Sequence, residues 1–297
     1  MKTRLAIFAL ALLLLPPAGM WLSGAGWDGL PGKGFAATAN ISAILLTTML
    51  FAGFLALVNH LVKLLTGNSP LAAQRGYFLW MGAASAVLCW LLSYLNLFVA
   101  SWVTQPENPI MQLLLYTPLF AMLAPAMLLT RATLGASGAL IGLLSRGVAL
   151  PTLKDETLAA SLLALALLGL AGGAAWPDRL HGLFWLAPLL LLAALQLLWN
   201  ESTIFSGLKS GNWGRVTCAA LAGIIVGNFA VTAYRYNGGI IMTTLPGPVS
   251  EQFGHAAFGL LCLQLGDVVA ENWRGKKRSE LFQKKKKFPI PVIVRKN

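Results

Sequence analysis

Eight long apolar stretches divide this chain, and the lysines and arginines fall unequally in the segments between them. The stretches cover residues 5–24, 37–62, 77–103, 110–130, 157–176, 180–199, 213–236 and 253–273. Each approaches or exceeds the roughly 20 apolar residues that a helix needs to cross the hydrocarbon core of a bilayer. The sequence therefore predicts an all-α integral membrane protein, a bundle of about eight transmembrane helices.

The positions of the cations predict how this bundle is oriented. When the segments are assigned alternately to the inside and the outside, starting with Lys2 and Arg4 inside, nineteen of the 22 lysines and arginines lie inside. The three outside are Lys33, Arg179 and Arg235. Because cytoplasmic loops of membrane proteins carry an excess of lysine and arginine, both the N- and the C-terminus are predicted to be cytoplasmic.

A shorter apolar piece at residues 138–150 is predicted to lie on the membrane surface. Its 13 residues would form about 20 Å of helix, which is less than the roughly 30 Å of the hydrocarbon core. A span here would also move Lys154, Lys209 and the basic C-terminal segment to the outside, against the charge rule. We therefore expect a short interfacial helix on the cytoplasmic face.

The chain is predicted to have two parts, a polytopic helical membrane domain at 1–273 and a basic cytoplasmic tail at 274–297. The tail carries ten cations against Glu280, and so accounts for +9 of the net charge of +12. Because the rest of the chain is nearly neutral, nucleic acid is not an expected partner. The tail is expected to bind anionic lipid headgroups, at about 1 kcal/mol per cation near the surface.

The first 25 residues allow two interpretations. Lys2 and Arg4 precede a short apolar core and the small residues Ser23, Gly24 and Ala25, an order that is typical of a cleaved secretory signal. The same segment also has the length of a first span. The compact chain with short loops favours a bacterial cytoplasmic (inner) membrane as its location.

A polar stripe in the last stretch is the strongest candidate for chemistry. The candidate cytoplasmic cleft consists of Glu201, Gln264, Asp267 and Glu271. The last three share a helix face, because they are spaced by three and four residues. One interpretation is a site for a cation, a proton or a polar substrate. The favoured interpretation is a buried ion pair that orients the helix, between Asp267 and either Lys209 or Arg215.

A second candidate group lies at the predicted outer ends of the spans. The candidate outer pocket consists of His181, Arg235, Glu251 and His255. A carboxylate, a guanidinium and imidazoles could together serve a site that acts on a lipid or a quinone. Each lone histidine is more simply interpreted as an interfacial side chain.

The seventh stretch has small residues at four-residue spacing, Ala219, Gly223 and Gly227. Such a face lets a second helix approach closely, because helices in lipid associate by packing rather than by hydrophobic burial. The second helix could belong to the same chain or to a partner subunit, and a contact within the chain is favoured.

No cofactor and no metal are expected. Cys89, Cys218 and Cys262 lie within apolar stretches, and none has a partner at metal-ligand spacing. A haem would need two histidines at one depth, which only His181 and His255 could supply, both at helix starts.

These features favour a non-enzymatic membrane component, that is, a subunit, scaffold or assembly factor of a membrane complex. The expectation rests on the sparse intramembrane chemistry, the small-residue face and the basic tail. One alternative is a transporter or channel for a small or lipidic solute, with Asp267 and Glu201 in its path. A second alternative is a membrane enzyme or quinone-site protein that acts at the outer face through Arg235, Glu251 and His255.

Overall fold

A computed structural model describes residues 36–104, 109–151, 155–245 and 247–274 of the chain. Seven long helices within these ranges are long and apolar enough to cross a membrane. The first predicted span, at 5–24, and the tail after residue 274 lie outside the described residues. The class of helical, multi-pass membrane protein is confirmed for the described part of the chain.

The long helices follow the predicted apolar stretches to within a few residues. They are α1 (Ala36–Thr66), α3 (Arg75–Val99), α4 (Pro109–Gly135), α6 (Asp155–Ala175), α7 (Pro177–Leu198), α8 (Gly214–Tyr236) and α9 (Pro248–Arg274). The short elements are α2 (Pro70–Ala73), α5 (Gly138–Leu144), a 3₁₀ helix η1 (Ser206–Ser210), and the strands β1 (Trp102–Thr104) and β2 (Ile241–Thr243).

Helix α4 lies at the centre of the bundle, where it contacts α1, α3, α8 and α9. The core around it is built from large apolar side chains such as Phe51, Met127 and Ile225. Helices α6 and α7 form a tight hairpin that packs mainly on itself and reaches the other helices chiefly through the contact of α7 with α9. Small residues permit this hairpin, since a Cβ at Gly169 would lie 2.7 Å from the Leu183 carbonyl oxygen.

A side chain from α3 bridges the backbone of α4 beside a proline. Pro125 lies inside α4 and has no N–H to donate to the carbonyl one turn earlier. The Ser85 hydroxyl donates to the Phe120 carbonyl at 2.5 Å and accepts from the Ala124 N–H at 3.0 Å. These two backbone groups would pair with each other in a regular α-helix, so Ser85 supplies the partners that backbone polar groups need in lipid.

The connections between helices gather at two ends of the bundle. At one end β1 pairs antiparallel with β2, with Val103 opposite Met242. At the other end the Gly147 N–H donates to the Gly211 carbonyl at 2.9 Å. We call the end with the strands the outer end and the end with α5 and η1 the inner end. The structure thus groups the connections as the charge alternation does, while the side of the membrane that each end faces stays a prediction.

The apolar piece at 138–150 forms a shorter helix than expected. Helix α5 ends at Leu144, after which the Leu150 N–H donates to the Leu208 carbonyl at 3.0 Å. The connection that contains η1 approaches so closely that a Cβ at Gly211 would lie 2.4 Å from the Gly147 carbonyl oxygen. Residues after 144 therefore bond to this connection instead of continuing the helix, and the interfacial position of α5 stays a prediction.

Candidate functional site

The candidate site at the inner end includes the C-terminus of α7, where a capping motif ends the helix. Asn200 follows the helix with a φ of 56°, in the left-handed region. The Asn200 N–H donates to the Leu197 carbonyl at 3.0 Å, and the Glu201 N–H donates to the Gln196 carbonyl at 2.8 Å. This is the hydrogen-bond pattern of a Schellman motif, in which asparagine is one of the residues that tolerate the left-handed position. The motif fixes where the backbone of Glu201 leaves the helix.

Two buried glutamines tie the next residues to α9. The Ile204 N–H donates to Gln264 Oε1 at 3.1 Å, and Gln264 Nε2 donates to Gln196 Oε1 of α7. Both glutamine side chains are fully buried. Buried amides between helices stabilise the contact because an unpaired amide in an apolar environment is costly. Gln264 thus joins α9, α7 and the connection that follows Glu201.

Asp267 pairs with an arginine from the neighbouring helix. Arg215, in the first turn of α8, donates through Nη2 to Asp267 Oδ2, and both side chains are less than one fifth exposed, at 17% and 14%. Arg131, near the end of α4, lies within electrostatic range of both groups. Glu271 lies one turn further along α9 and is half-buried. Of the two cations considered as partners of Asp267, Arg215 is therefore the one that contacts it.

The other cation, Lys209, lines a pocket at the inner end and pairs there with a different carboxylate. Its Nζ lies 2.9 Å from Asp155 Oδ1 at the start of α6, and both side chains are exposed. The two groups line a cavity of about 280 Å³, together with Glu201, Ser202 and the apolar Leu197. The structure thus separates the four predicted cleft residues into two places. Gln264, Asp267 and Glu271 follow one another along α9, while Glu201 lines the pocket.

The outer candidate His181 contacts a buried serine that was not predicted. Its Nε2 lies 2.7 Å from Ser101 Oγ, and the Trp185 Nε1–H donates to the same oxygen at 2.7 Å. Ser101 is almost fully buried, with 1% of its surface exposed. A serine beside a histidine has the pairing of a nucleophile and a base, but this serine also accepts the tryptophan N–H. The three side chains link the connection after α3 to α7, and a separation of 80 residues leaves no local signal of the pair in the sequence.

The remaining three outer candidates have separate contacts. Arg235 Nη2 lies 3.4 Å from the Ile241 carbonyl oxygen. Glu251 accepts a hydrogen bond from the Thr243 hydroxyl at 2.6 Å. His255 packs against α8, where a Cβ at Gly227 would lie 2.5 Å from its ring. The contacts of Arg235 and His255 thus connect β2 and α9 to α8, whereas the contact of Glu251 connects α9 to β2.

The small residues of α8 pack against α9. A Cβ at Gly223 would lie 2.2 Å from the His255 carbonyl oxygen, and a Cβ at Gly259 would lie 2.4 Å from the Ala219 carbonyl oxygen. The face of Ala219, Gly223 and Gly227 is therefore covered by a helix of the same chain. Gly259 completes the contact from the α9 side and was not among the predicted packing residues, because it has no small neighbour four residues away that would mark a motif.

A second amide pair joins the same two helices nearer the outer end. Asn228 Nδ2 donates to Gln252 Oε1 at 2.7 Å, and Gln252 Nε2 donates to Asn228 Oδ1 at 2.9 Å. Each amide thus satisfies the other. Asn228 stands inside an apolar stretch, and this was the signal that could have identified it.

Within the described ranges, no group of three or more histidine, cysteine, aspartate or glutamate side chains is placed to hold a metal ion. Comparisons with known proteins found no family model, no curated protein and no solved structure that matches this chain.

Proposed function

We propose that this protein is a non-enzymatic component of a membrane complex, acting as a subunit, scaffold or assembly factor. The observation that supports the proposal is the use of the polar side chains within the spans. They bond to one another between helices, as in Asp267 with Arg215, Gln264 with Gln196, and Asn228 with Gln252. In the connection after α3, Ser101 bonds in the same way to His181 and Trp185 of α7. Side chains that fasten helices together define a rigid body on which other subunits could assemble.

The test is purification of the tagged full chain from its source cells in mild detergent, followed by native mass spectrometry. We expect a complex of defined stoichiometry that contains at least one other membrane protein. Deleting the gene should lower the amount of that partner in the membrane. An unrelated multi-pass protein with the same tag and expression level controls for nonspecific association. Recovery of the chain alone, with no membrane protein changed by the deletion, would contradict the proposal.

A second candidate function is transport, and the inner pocket favours it because Glu201 lines a cavity that opens at the end of the bundle. The full chain in vesicles with an entrapped pH-sensitive dye would report proton flux. If transport is the function, Glu201→Gln should slow this flux. Glu156→Gln should not slow it, because this substitution removes the same charge from an exposed position outside the pocket. If vesicles with the protein and vesicles without it show the same proton flux, proton transport is excluded.

A further inference from the structure

We propose that the inner-end pocket binds a primary ammonium group carried beside a phosphate, the chemistry of an aminophospholipid headgroup. The inference does not rest on the proposed function, because a complex subunit and a transporter can each hold a structural lipid. It rests on the charge of the pocket, on its polar lining and on its position at the helix ends.

The charge of the pocket favours a cationic group. Two carboxylates, Asp155 and Glu201, and one cation, Lys209, line it. Lys209 already contacts Asp155 at 2.9 Å. Across the described residues, neither a hydrogen bond nor an ion pair engages the Glu201 carboxylate. With all three groups ionised, the pocket carries one net negative charge. The Glu201 carboxylate can therefore accept hydrogen bonds from the N–H groups of an ammonium ligand.

The rest of the polar lining suits a phosphate. A lysine ammonium has three N–H donors, of which the contact with Asp155 uses one. Ser202 is among the residues that line the same pocket, and its buried Oγ has no hydrogen-bond partner within the part of the chain that the structure describes. Buried polar groups are normally paired, so a ligand oxygen or a water is expected there. Lys209 can therefore supply donors to a phosphate while Glu201 accepts from the ammonium.

The position of the pocket favours a lipid over a freely dissolved solute. It lies where α7 ends and α6 begins, which is the headgroup depth of two helices of membrane-spanning length. Leu158, Leu197 and Phe205 line its apolar part. The neighbouring Trp199 is half-exposed, as aromatic residues at the membrane interface commonly are. A volume of about 280 Å³ is at the small end for ligand sites, so it suits a headgroup rather than a whole lipid.

The ligand expected here differs from that expected for the basic tail. A purely anionic headgroup such as phosphatidylglycerol would bring its phosphate to a pocket that already has a net negative charge. Phosphatidylethanolamine adds an ammonium that the Glu201 carboxylate can bind. The pocket should therefore prefer phosphatidylethanolamine to phosphatidylglycerol.

Native mass spectrometry of the full-length protein in mild detergent, with both lipids added in equal amounts, tests this preference. The wild type should retain phosphatidylethanolamine in excess. Glu201→Gln should weaken its binding about tenfold, because hydrogen bonds to a charged group are lost. Glu156→Gln removes the same charge from an exposed position outside the pocket and should leave binding unchanged. Equal retention of both lipids by the wild type and by Glu201→Gln, with unchanged unfolding temperatures, would overturn the proposal.

Soluble probes distinguish a lipid headgroup from a freely dissolved zwitterion with the same ammonium and phosphate groups. Calorimetric titration with phosphoethanolamine and with ethanolamine measures the headgroup without its acyl chains. Lys209→Gln should weaken binding of phosphoethanolamine but not of ethanolamine, since only the former carries the phosphate. If phosphoethanolamine binds as tightly as the lipid, the ligand is a free zwitterion and the lipid assignment is overturned. If it binds much more weakly, the lipid assignment stands.

Discussion

At the scale of single residues, the polar groups within the helices are explained by their partners. Asp267 alone in a span would be an expensive charge, but Arg215 lies against it and both are largely buried. Lys209 and Asp155 form an ion pair of similar chemistry that is exposed, with 43% and 61% of the side chains accessible. These two pairs allow the effect of burial to be measured within one protein.

Removing one member of the buried pair should destabilise the protein strongly. Asp267→Ala leaves the Arg215 guanidinium without its carboxylate, at an expected cost of about 3 kcal/mol in the free energy of unfolding. The double variant Arg215→Met with Asp267→Leu should recover most of this loss, because it removes both charges and restores apolar volume. Unfolding in mixed micelles with increasing dodecyl sulfate would measure these differences.

The exposed pair serves as the matched control. Asp155→Ala should cost at most about 1 kcal/mol, because water solvates the Lys209 ammonium that remains. A loss with Asp155→Ala as large as that with Asp267→Ala would show that burial is not what makes the Asp267 pair important.

At the scale of helices, α8 and α9 approach each other closely enough for their backbones to be in contact, as α6 and α7 do at Gly169. The distance of 2.2 Å between a Cβ at Gly223 and the His255 carbonyl oxygen leaves no room for a methyl group. Since the obstructing atom is backbone, no side-chain rotation can relieve the clash, and the two helices would have to separate. Small residues at this crossing are therefore a requirement of the geometry.

We expect Gly223→Ala to destabilise the protein by about 1–3 kcal/mol through overpacking. The matched control is Gly53→Ala in α1, where a Cβ would meet nothing within 4 Å. That change should be neutral or stabilise the helix by up to about 1 kcal/mol, since alanine is the better helix former. The same unfolding measurement in detergent compares them, and equal effects of the two changes would refute the packing explanation.

Helix ends were predicted less well than helix interiors, as the end of α3 shows. The apolar stretch was predicted to run to residue 103, whereas α3 ends at Val99 and Ala100 adopts a left-handed φ of 46°. Asn96 then donates through Nδ2 to the Trp102 carbonyl at 2.7 Å. Residues 102–104 enter the small sheet because β2 offers them partners. Apolar composition alone does not distinguish a helical end from a strand that pairs with residues far along the chain.

At the scale of the whole molecule, the two ends of the bundle are each held together by contacts between distant connections. Ser210, the last residue of η1, and Met242, in β2, are both exposed and lie at opposite ends. Cys89, Cys218 and Cys262 are all buried. Introduced cysteines at the two exposed positions can therefore report the sidedness of the bundle against a low background.

In intact cells, a membrane-impermeant maleimide should label Met242→Cys but not Ser210→Cys. Permeabilising the membrane should expose Ser210→Cys to the same reagent. The physical reason is the excess of lysine and arginine at the inner end, from which the positive-inside rule predicts that this end is cytoplasmic. Labelling of Ser210→Cys in intact cells would show that the bundle has the opposite orientation, with the proposed lipid site on the outer side of the membrane.

The sequence by itself determined that the chain is a multi-pass helical membrane protein, and it located the seven long helices of the described residues to within a few residues. This was possible because crossing hydrocarbon is a local requirement, since each span must satisfy its own backbone and be apolar along its length. The partners of Asp267, Gln264, His181 and Gly223 were decided by the tertiary structure, although Arg215 was already one of two cations considered for Asp267. The partner of each side chain depends on which faces of distant helices pack together. Lipid solvates every apolar face equally well, so hydrophobicity alone does not specify which faces pack.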